Sequence, residues 1–388
     1  MKLAIDLNGV ATPLTGIGHY TLQLTRGLAH HRAVTELAPV QQGRCVSLAG
    51  LEVLRTSPPP STGNTLRSRL TPLLRHSRTA RTLRDAWQAH GVARCAKAEA
   101  ADVLWEPGFL VPQFSGPMVA TVYDLSFLTH PTFHPAARSR MFQRWLTRTL
   151  SRADHVVTIS RFTRDELCRL TDYPPERISI VSPAAASDFA PLTRTQRNAV
   201  LARLGLPSHF LLSLGTLEPR KNLGRLVRAY AALPQALRQA WPLVCVGAKG
   251  WNDASLIREM QPLVARGELL RLGYVAQQDL PQIIASANLL AYPSLYEGFG
   301  MPVIEAMACG VPVLTSRHTA MHEITGENAF LVEPTEVESI RAALQTALED
   351  PDTRARLGAR GIERALSYDW QRSTEALVAA LRDASSER

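Results

Sequence analysis

The chain has 388 residues, 45% hydrophobic and 20% charged content and a mean hydropathy of −0.06, which fits a globular protein of about two domains and excludes disorder or a small stapled scaffold. No run approaches the roughly 18 uninterrupted apolar residues of a membrane span, and MKLAIDLNGV meets Asp6 too early for a signal peptide, so a cytoplasmic location is expected. The net charge of +9 is uneven: residues 1–200 hold 24 Lys+Arg against 14 Asp+Glu, a net of +10, and residues 201–388 hold 19 against 20.

In chain order, KLAIDL, DVLWEP, MVATVYDL, HVVTIS and ISIVSP read as strands in the first half. FLLSLG, PLVCVG, LLRLGYV, LLAYPS, VPVLTS and AFLVEP follow in the second. Short β-branched or apolar runs alternating with amphipathic stretches make βαβ units and a parallel sheet, so the expected class is α/β with two open sheets. The segment AAASDFAPLTRTQR, near 184–197, has no sustained apolar period and is the expected linker, giving domains at 1–190 and 191–368. Residues 369–388 read as a further amphipathic helix, with Trp370, Leu377, Val378 and Leu381 on one side.

Five cysteines without a C-x-x-C pair match neither a disulfide framework nor a zinc site. His130 and His134 flank the prolines of THPTFHP and read as loop residues, and no D-x-D element of the kind that holds a metal-diphosphate is read, so no metal and no cofactor are expected. Residues 55–97 carry nine basic residues and one acid, Asp85. Within them, residues 66–87 place Leu66, Leu70, Leu73, Leu74, Leu83 and Trp87 at near-helical spacing among arginines, interrupted by Pro72. Two readings stand: a surface helix packed on its own domain, or a contact with an anionic membrane surface. Nucleic acid is not an expected partner, because Trp87 is the one aromatic interleaved with those charges.

YPSLYEGFGMPVIEAMACGVPVLTS, residues 292–316, is the most informative segment. A strand ends near Pro293, a loop carries Glu297, Gly298, Phe299 and Gly300, Pro302 suits a first helical position and Gly310 suits the stop. Glycines beside Phe299 admit close backbone approach, and a helix start favours phosphate or diphosphate. Glu297 lies before this anion site and Glu305 one turn beyond it, so one carboxylate can bind sugar hydroxyls and the other a ribose diol. Arg220 and Lys221 follow the strand FLLSLG at the carboxyl end, where open sheets bind ligands. Gly16 and Gly18 form the first strand–helix turn, and Thr21 stands where a dinucleotide fingerprint needs a third glycine. Tyr123 and Asp124 follow another strand; tyrosine is a poor base at neutral pH, and Asp124 either orients an acceptor or caps the next turn.

The E-x7-E spacing in LYEGFGMPVIEAMACGVPV resembles the signature of family 4 of the retaining glycosyltransferases. PLTGIGHYTLQL, TVYDLSFLTHP, ADHVVTISRFTRDEL, LSLGTLEPRKNLGRLVRAY and LGYVAQQDLPQIIASANLLAYPS resemble it in order, over nearly the whole chain. The resemblance implies the GT-B fold, two facing Rossmann-like domains with an interdomain cleft, the last helix crossing back to the first. It implies that Glu297 positions the donor sugar, that the backbone of Gly298, Phe299, Gly300 and Met301 meets sugar and phosphates, and that Glu305 holds the ribose. Lys221 would neutralise the diphosphate, with Arg220 as second cation where many members have an arginine and this chain has Thr216. Gly16, Gly18, Gly215 and Tyr274 are the remaining implied substrate contacts, and Tyr123 stands where many members have a cleft histidine. The implied partners are a nucleoside diphosphate sugar and a glycan or lipid-linked acceptor. The TGIGHY and LEPRKN variants look like the surface-polysaccharide branch, where GDP-mannose and GDP-rhamnose are common donors. Other classes weighed are a nucleotide-sugar epimerase of the same fold and a non-catalytic anionic-surface or nucleic-acid binder.

Overall fold

The computed structural model describes residues 1–10, 14–47, 78–108, 111–248 and 254–386. One sheet holds β1 (Lys2–Asp6), β2 (Glu36–Gln41), β3 (Arg44–Cys45), β4 (Val103–Glu106), β5 (Met118–Val122), β6 (His155–Thr158) and β7 (Ile178–Ile180), in the order β3-β2-β1-β4-β5-β6-β7. The other holds β8 (Leu211–Leu214), β9 (Leu243–Val246), β10 (Leu269–Gly273), β11 (Leu289–Tyr292), β12 (Val313–Ser316) and β13 (Phe330–Val332), in the order β10-β9-β8-β11-β12-β13. All ladders are parallel except β2 with β3. Strands β4, β5, β9, β11 and β12 are buried along their whole length. Helices cover both faces of such sheets, which is why these runs read as continuous apolar stretches instead of alternating ones.

β2 and β3 add to the strands expected from the sequence. Pro39 makes ELAPVQ read as a loop, yet it pairs with Ile5 of β1, and its carbonyl accepts from the Val46 amide at 2.9 Å. Near a sheet edge the missing amide donor is tolerated. In each sheet the winding reverses once. From β1 the chain moves outward to β2 and β3 and returns beside β1 as β4; from β8 it moves to β9 and β10 and returns as β11. A crevice for ligands opens at the carboxyl ends of the strands at such switch points.

The helix Trp370–Ser386 lies against the helix Gly16–Ala29 and strands of the first sheet, although the chain reaches it from the second. Leu377, Val378, Leu381 and Ala384 are buried. Ser373 donates to the Ser182 carbonyl at 2.5 Å, and the Trp370 ring lies 6.1 Å from that of Tyr20. Truncation before residue 369 is expected to yield insoluble or unfolded protein, because each large apolar side chain left uncovered loses about 1.5–3 kcal/mol of burial. Gel filtration and circular dichroism check this; a folded, fully active truncation would show the helix to be dispensable.

Among the described residues no helix is long and apolar enough to cross a membrane. All five cysteines are free thiols. Of the basic stretch 66–87, residues 66–77 lie outside the described residues; from Arg78 the chain is helical to Ala98, with Trp87 54% exposed.

Candidate active site

The β8/β11 switch point gathers Arg220, Lys221 and Glu297. A 3₁₀ turn, Pro219–Lys221, follows β8 and delivers both cations to the loop after β11. Lys221 Nζ donates to Glu297 Oε1 at 2.7 Å and to Tyr292 Oη at 2.5 Å. Tyr292 Oη in turn donates to Glu297 Oε1 at 3.0 Å. Arg220 Nη1 donates to Glu297 Oε2 and, at 3.0 Å, to the Tyr296 carbonyl, while Nη2 reaches Glu218 Oε1 at 2.8 Å. Two cations and two carboxylates therefore compensate one another. Burial alone would raise the Glu297 acid, but the Arg220 and Lys221 charges overcome it and hold the carboxyl down at about 2. Burial lowers the Lys221 ammonium despite Glu297 beside it.

Four residues beyond Glu297 the helix Met301–Ala308 begins. Its N-cap, Gly300, has φ +113° and no side chain to bond the first amides, and Pro302 opens the first turn. Cβ at Gly300 would stand 2.9 Å from Met321 Cγ, so both its angle and its packing require glycine. Phe299 is buried with its ring 5.5 Å from that of Tyr368. Glu305 lies one turn into this helix, and burial pushes its carboxyl up to about 7. Gly215, directly after β8, has φ +134°.

The same loop forms the seam with the first unit. Gly298 O accepts from Ser160 Oγ at 2.6 Å and Thr163 Oγ1 at 3.2 Å. Tyr296 Oη accepts from the Leu125 amide at 3.1 Å and donates to Glu166 Oε2. Glu323 accepts from the amides of Arg161 and Phe162 at 2.9 and 2.8 Å, capping the helix Arg161–Leu170 from across the seam. Cβ at Gly298 would lie 1.9 Å from the Tyr123 carbonyl oxygen and 2.9 Å from Asp124 Cβ. Gly298→Ala must push the units apart, and misplacement on the order of 1 Å costs roughly 10²-fold in rate. Turnover assays beside circular dichroism should show that loss in a folded variant; wild-type rates would mean the seam is not closed during turnover.

A model of the glycosyl transferases group 1 matches residues 202–364, and one of glycosyltransferase family 4 matches residues 14–188. The chain is 34% identical over 387 residues to the O-antigen chain mannosyltransferase B of Escherichia coli, covering 98% of this chain and 100% of that protein. It belongs to glycosyltransferase family 4. WaaG, a solved glycosyltransferase involved in lipopolysaccharide biosynthesis, shares the fold with a TM-score of 0.71 at 18% identity, over 98% of this chain and 99% of that one. Anabaena HepE, solved with UDP and glucose, does so with a TM-score of 0.70 at 18% identity and the same coverage. The two-sheet architecture is the GT-B fold.

In this glycosyltransferase the side chains of Tyr123 and Asp124 are engaged within the first unit. The Tyr123 ring stands edge-on to Tyr20 at 5.5 Å and is buried. The residue following β5 turns its side chain into the core, and its carbonyl meets the Gly298 loop. Asp124 accepts from the Ser126 amide at 3.0 Å and hydroxyl at 2.7 Å, so it caps the following turn. Tyr274 follows β10 at the sheet edge, 57% exposed and two strands from β8. Gly16 and Gly18 open the helix Gly16–Ala29, where Thr15 Oγ1 accepts from the Gly18 amide at 3.2 Å.

Tyr292, Glu218, Ser160 and Thr163 join the glycosyltransferase crevice and seam without being singled out by any motif. Ser160 carried one usable signal: it ends HVVTIS before a helical stretch, the place of an N-cap, and it bonds the Thr163 amide at 3.0 Å.

Proposed function

We propose that the chain transfers mannose, or rhamnose, from a GDP-linked donor, with retention at the anomeric carbon, to a glycan or lipid-linked oligosaccharide acceptor in O-antigen-type polysaccharide synthesis. The full-length match to an O-antigen chain mannosyltransferase carries this reading. The crevice geometry supports it, since a diphosphate entering at the helix start competes with Glu297 for Arg220 and Lys221. The freed carboxylate then accepts hydrogen bonds from donor-sugar hydroxyls, and Glu305 accepts from the ribose diol. As the glycosidic bond lengthens, negative charge grows on the leaving diphosphate, where Lys221, Arg220 and the Gly300–Met301 backbone stabilise it. A leaving phosphate oxygen takes the acceptor hydroxyl proton on the same face, and no protein nucleophile is required. The same reading sets residues 66–87 against an anionic membrane presenting a lipid-linked acceptor; binding to anionic but not neutral vesicles, lost in high salt, is its signature.

A thermal-shift panel of GDP-, UDP-, ADP- and dTDP-sugars tests the donor, because a ligand at 100 times its dissociation constant adds about 2.7 kcal/mol. GDP-mannose or GDP-rhamnose should give the largest shift, and the product's anomeric configuration by NMR should match the donor's. A preference for another nucleotide would overturn the donor assignment. Conversion of donor to an epimer without acceptor would overturn transfer itself.

A further inference from the structure

Lys221 reaches Glu297 from a single 3₁₀ turn, and the residue after that turn is built in an unusual way. Asn222 is 4% exposed, with φ +59° and ψ 23°. That left-handed backbone favours glycine and, among residues with a side chain, asparagine. Asn222 is the N-cap of the helix Leu223–Ala231, a place where asparagine ordinarily turns its side chain back onto the first amides. Here it makes no such bond. Instead Asn222 Nδ2 donates to the Pro293 carbonyl at 2.9 Å and to the Pro334 carbonyl at 2.6 Å, and Oδ1 accepts from Arg225 Nη1 at 3.0 Å. Arg225 is fixed in turn, its Nε donating to the Thr335 carbonyl at 3.1 Å.

Pro293 directly follows Tyr292, whose hydroxyl bonds both Lys221 and Glu297, and Pro334 lies in the loop after the edge strand β13. One buried amide therefore joins the loops that leave β8, β11 and β13. A backbone bond runs beside it, from the Leu295 amide to the Arg220 carbonyl at 2.8 Å. The Lys221 stem rests on the end of β8, where a Cβ at Gly215 would stand 3.3 Å from Lys221 Cδ and Cε. Glycine at 222 would meet the backbone angle without strain, so the angle alone does not call for an amide. A buried amide is costly unless its polar atoms are bonded; at Asn222 both N–H donors and the oxygen are, and every partner belongs to the frame around Lys221.

We propose that Asn222 is a positioning residue for the transfer: it clamps the turn after β8 to the loops after β11 and β13, and so sets where the Lys221 ammonium and the Arg220 guanidinium meet the donor diphosphate. The assignment rests on the donor reading of the β8/β11 crevice, and two measurements on the full chain separate the clamp from the donor. Asn222→Gly keeps the left-handed backbone and removes the amide. The first measurement needs no ligand: brief acetic anhydride labelling read by mass spectrometry, with Lys221 16% exposed at its side chain and Lys2, at 47%, as internal control. The variant should label Lys221 roughly fivefold faster or more through local opening of the turn, while Lys2 keeps its wild-type rate. The second is a calorimetric GDP titration. Asn222→Gly should weaken GDP binding about tenfold, the worth of one misplaced charge-assisted hydrogen bond. In a Lys221→Gln background the same change should cost only about twofold, because residues acting through one group are not additive; a merely structural role would cost the same in both. Arg225→Met frees the Asn222 oxygen alone and should move Lys221 labelling in the same direction, which decides the case where Asn222→Gly fails to fold. Lys221 labelled at the wild-type rate, or an equal loss of GDP affinity in both backgrounds, would overturn the positioning role. A wild type without a GDP response would instead overturn the donor reading, with the labelling still deciding the clamp.

Discussion

Glu297→Gln is expected to lower turnover by roughly two to three orders of magnitude, the loss seen when one preorganised polar group is removed from a reacting centre, while nucleotide binding strengthens. The opposite signs follow from the charge count. Glu297 and Glu218 compensate Arg220 and Lys221 in the free protein, and glutamine leaves one buried positive charge without its partner. Breaking a buried pair in this way costs about 3–5 kcal/mol, so the variant should melt earlier. A diphosphate restores the missing charge, and GDP should therefore raise the melting temperature of the variant more than that of the wild type. Glu297 also has a pH signature. Its folded carboxyl lies at about 2 against an ordinary value of 4.5, so its stabilisation is complete above pH 4.5 and lost as pH falls toward 2. The variant's stability should be flatter across that window. Melting curves with and without GDP and steady-state kinetics decide the case; equal GDP shifts together with wild-type turnover would sink the role assigned to Glu297.

Glu305→Gln should do the reverse and make the free protein more stable at pH 8. The carboxyl lies at about 7 when folded and 4.5 ordinarily. Between those values the folded state keeps a proton that the unfolded chain has released, so stability falls as pH rises through the window and stays lower above it. The full shift corresponds to about 3 kcal/mol at 1.36 kcal/mol per pKa unit, and partial exposure of the side chain reduces the expected gain to about 2 kcal/mol. At pH 4 both states are protonated, so the variant and wild type should unfold alike. The same substitution should weaken GDP-sugar binding about tenfold, the worth of one charge-assisted hydrogen bond of about 1.5 kcal/mol. In the wild type, binding should tighten from pH 6 to pH 8 as the carboxylate forms. A Glu305→Gln protein that is less stable than wild type at pH 8, or that binds the donor equally well, would show that the carboxyl is retained for packing.

By itself the sequence determined two parallel βαβ sheets, the loop–helix junction at 297–301 and the arrival of Lys221 at a strand end, because alternation, glycine placement and strand ends are local and periodic signals. Pro39 concealed β2, since a proline is judged locally as a breaker while its cost depends on which edge of the ladder it meets. Whether Tyr123 faced the cleft or the core was equally beyond local reading: the Tyr20 ring that receives it comes from another element. The tertiary structure alone decided that Glu297 is held by both neighbouring cations, that Glu305 is buried enough to titrate near neutrality, and that Asn222 reaches the Pro293 and Pro334 carbonyls. Those properties are set by distance and desolvation between groups far apart in the chain, and no spacing along the sequence encodes either.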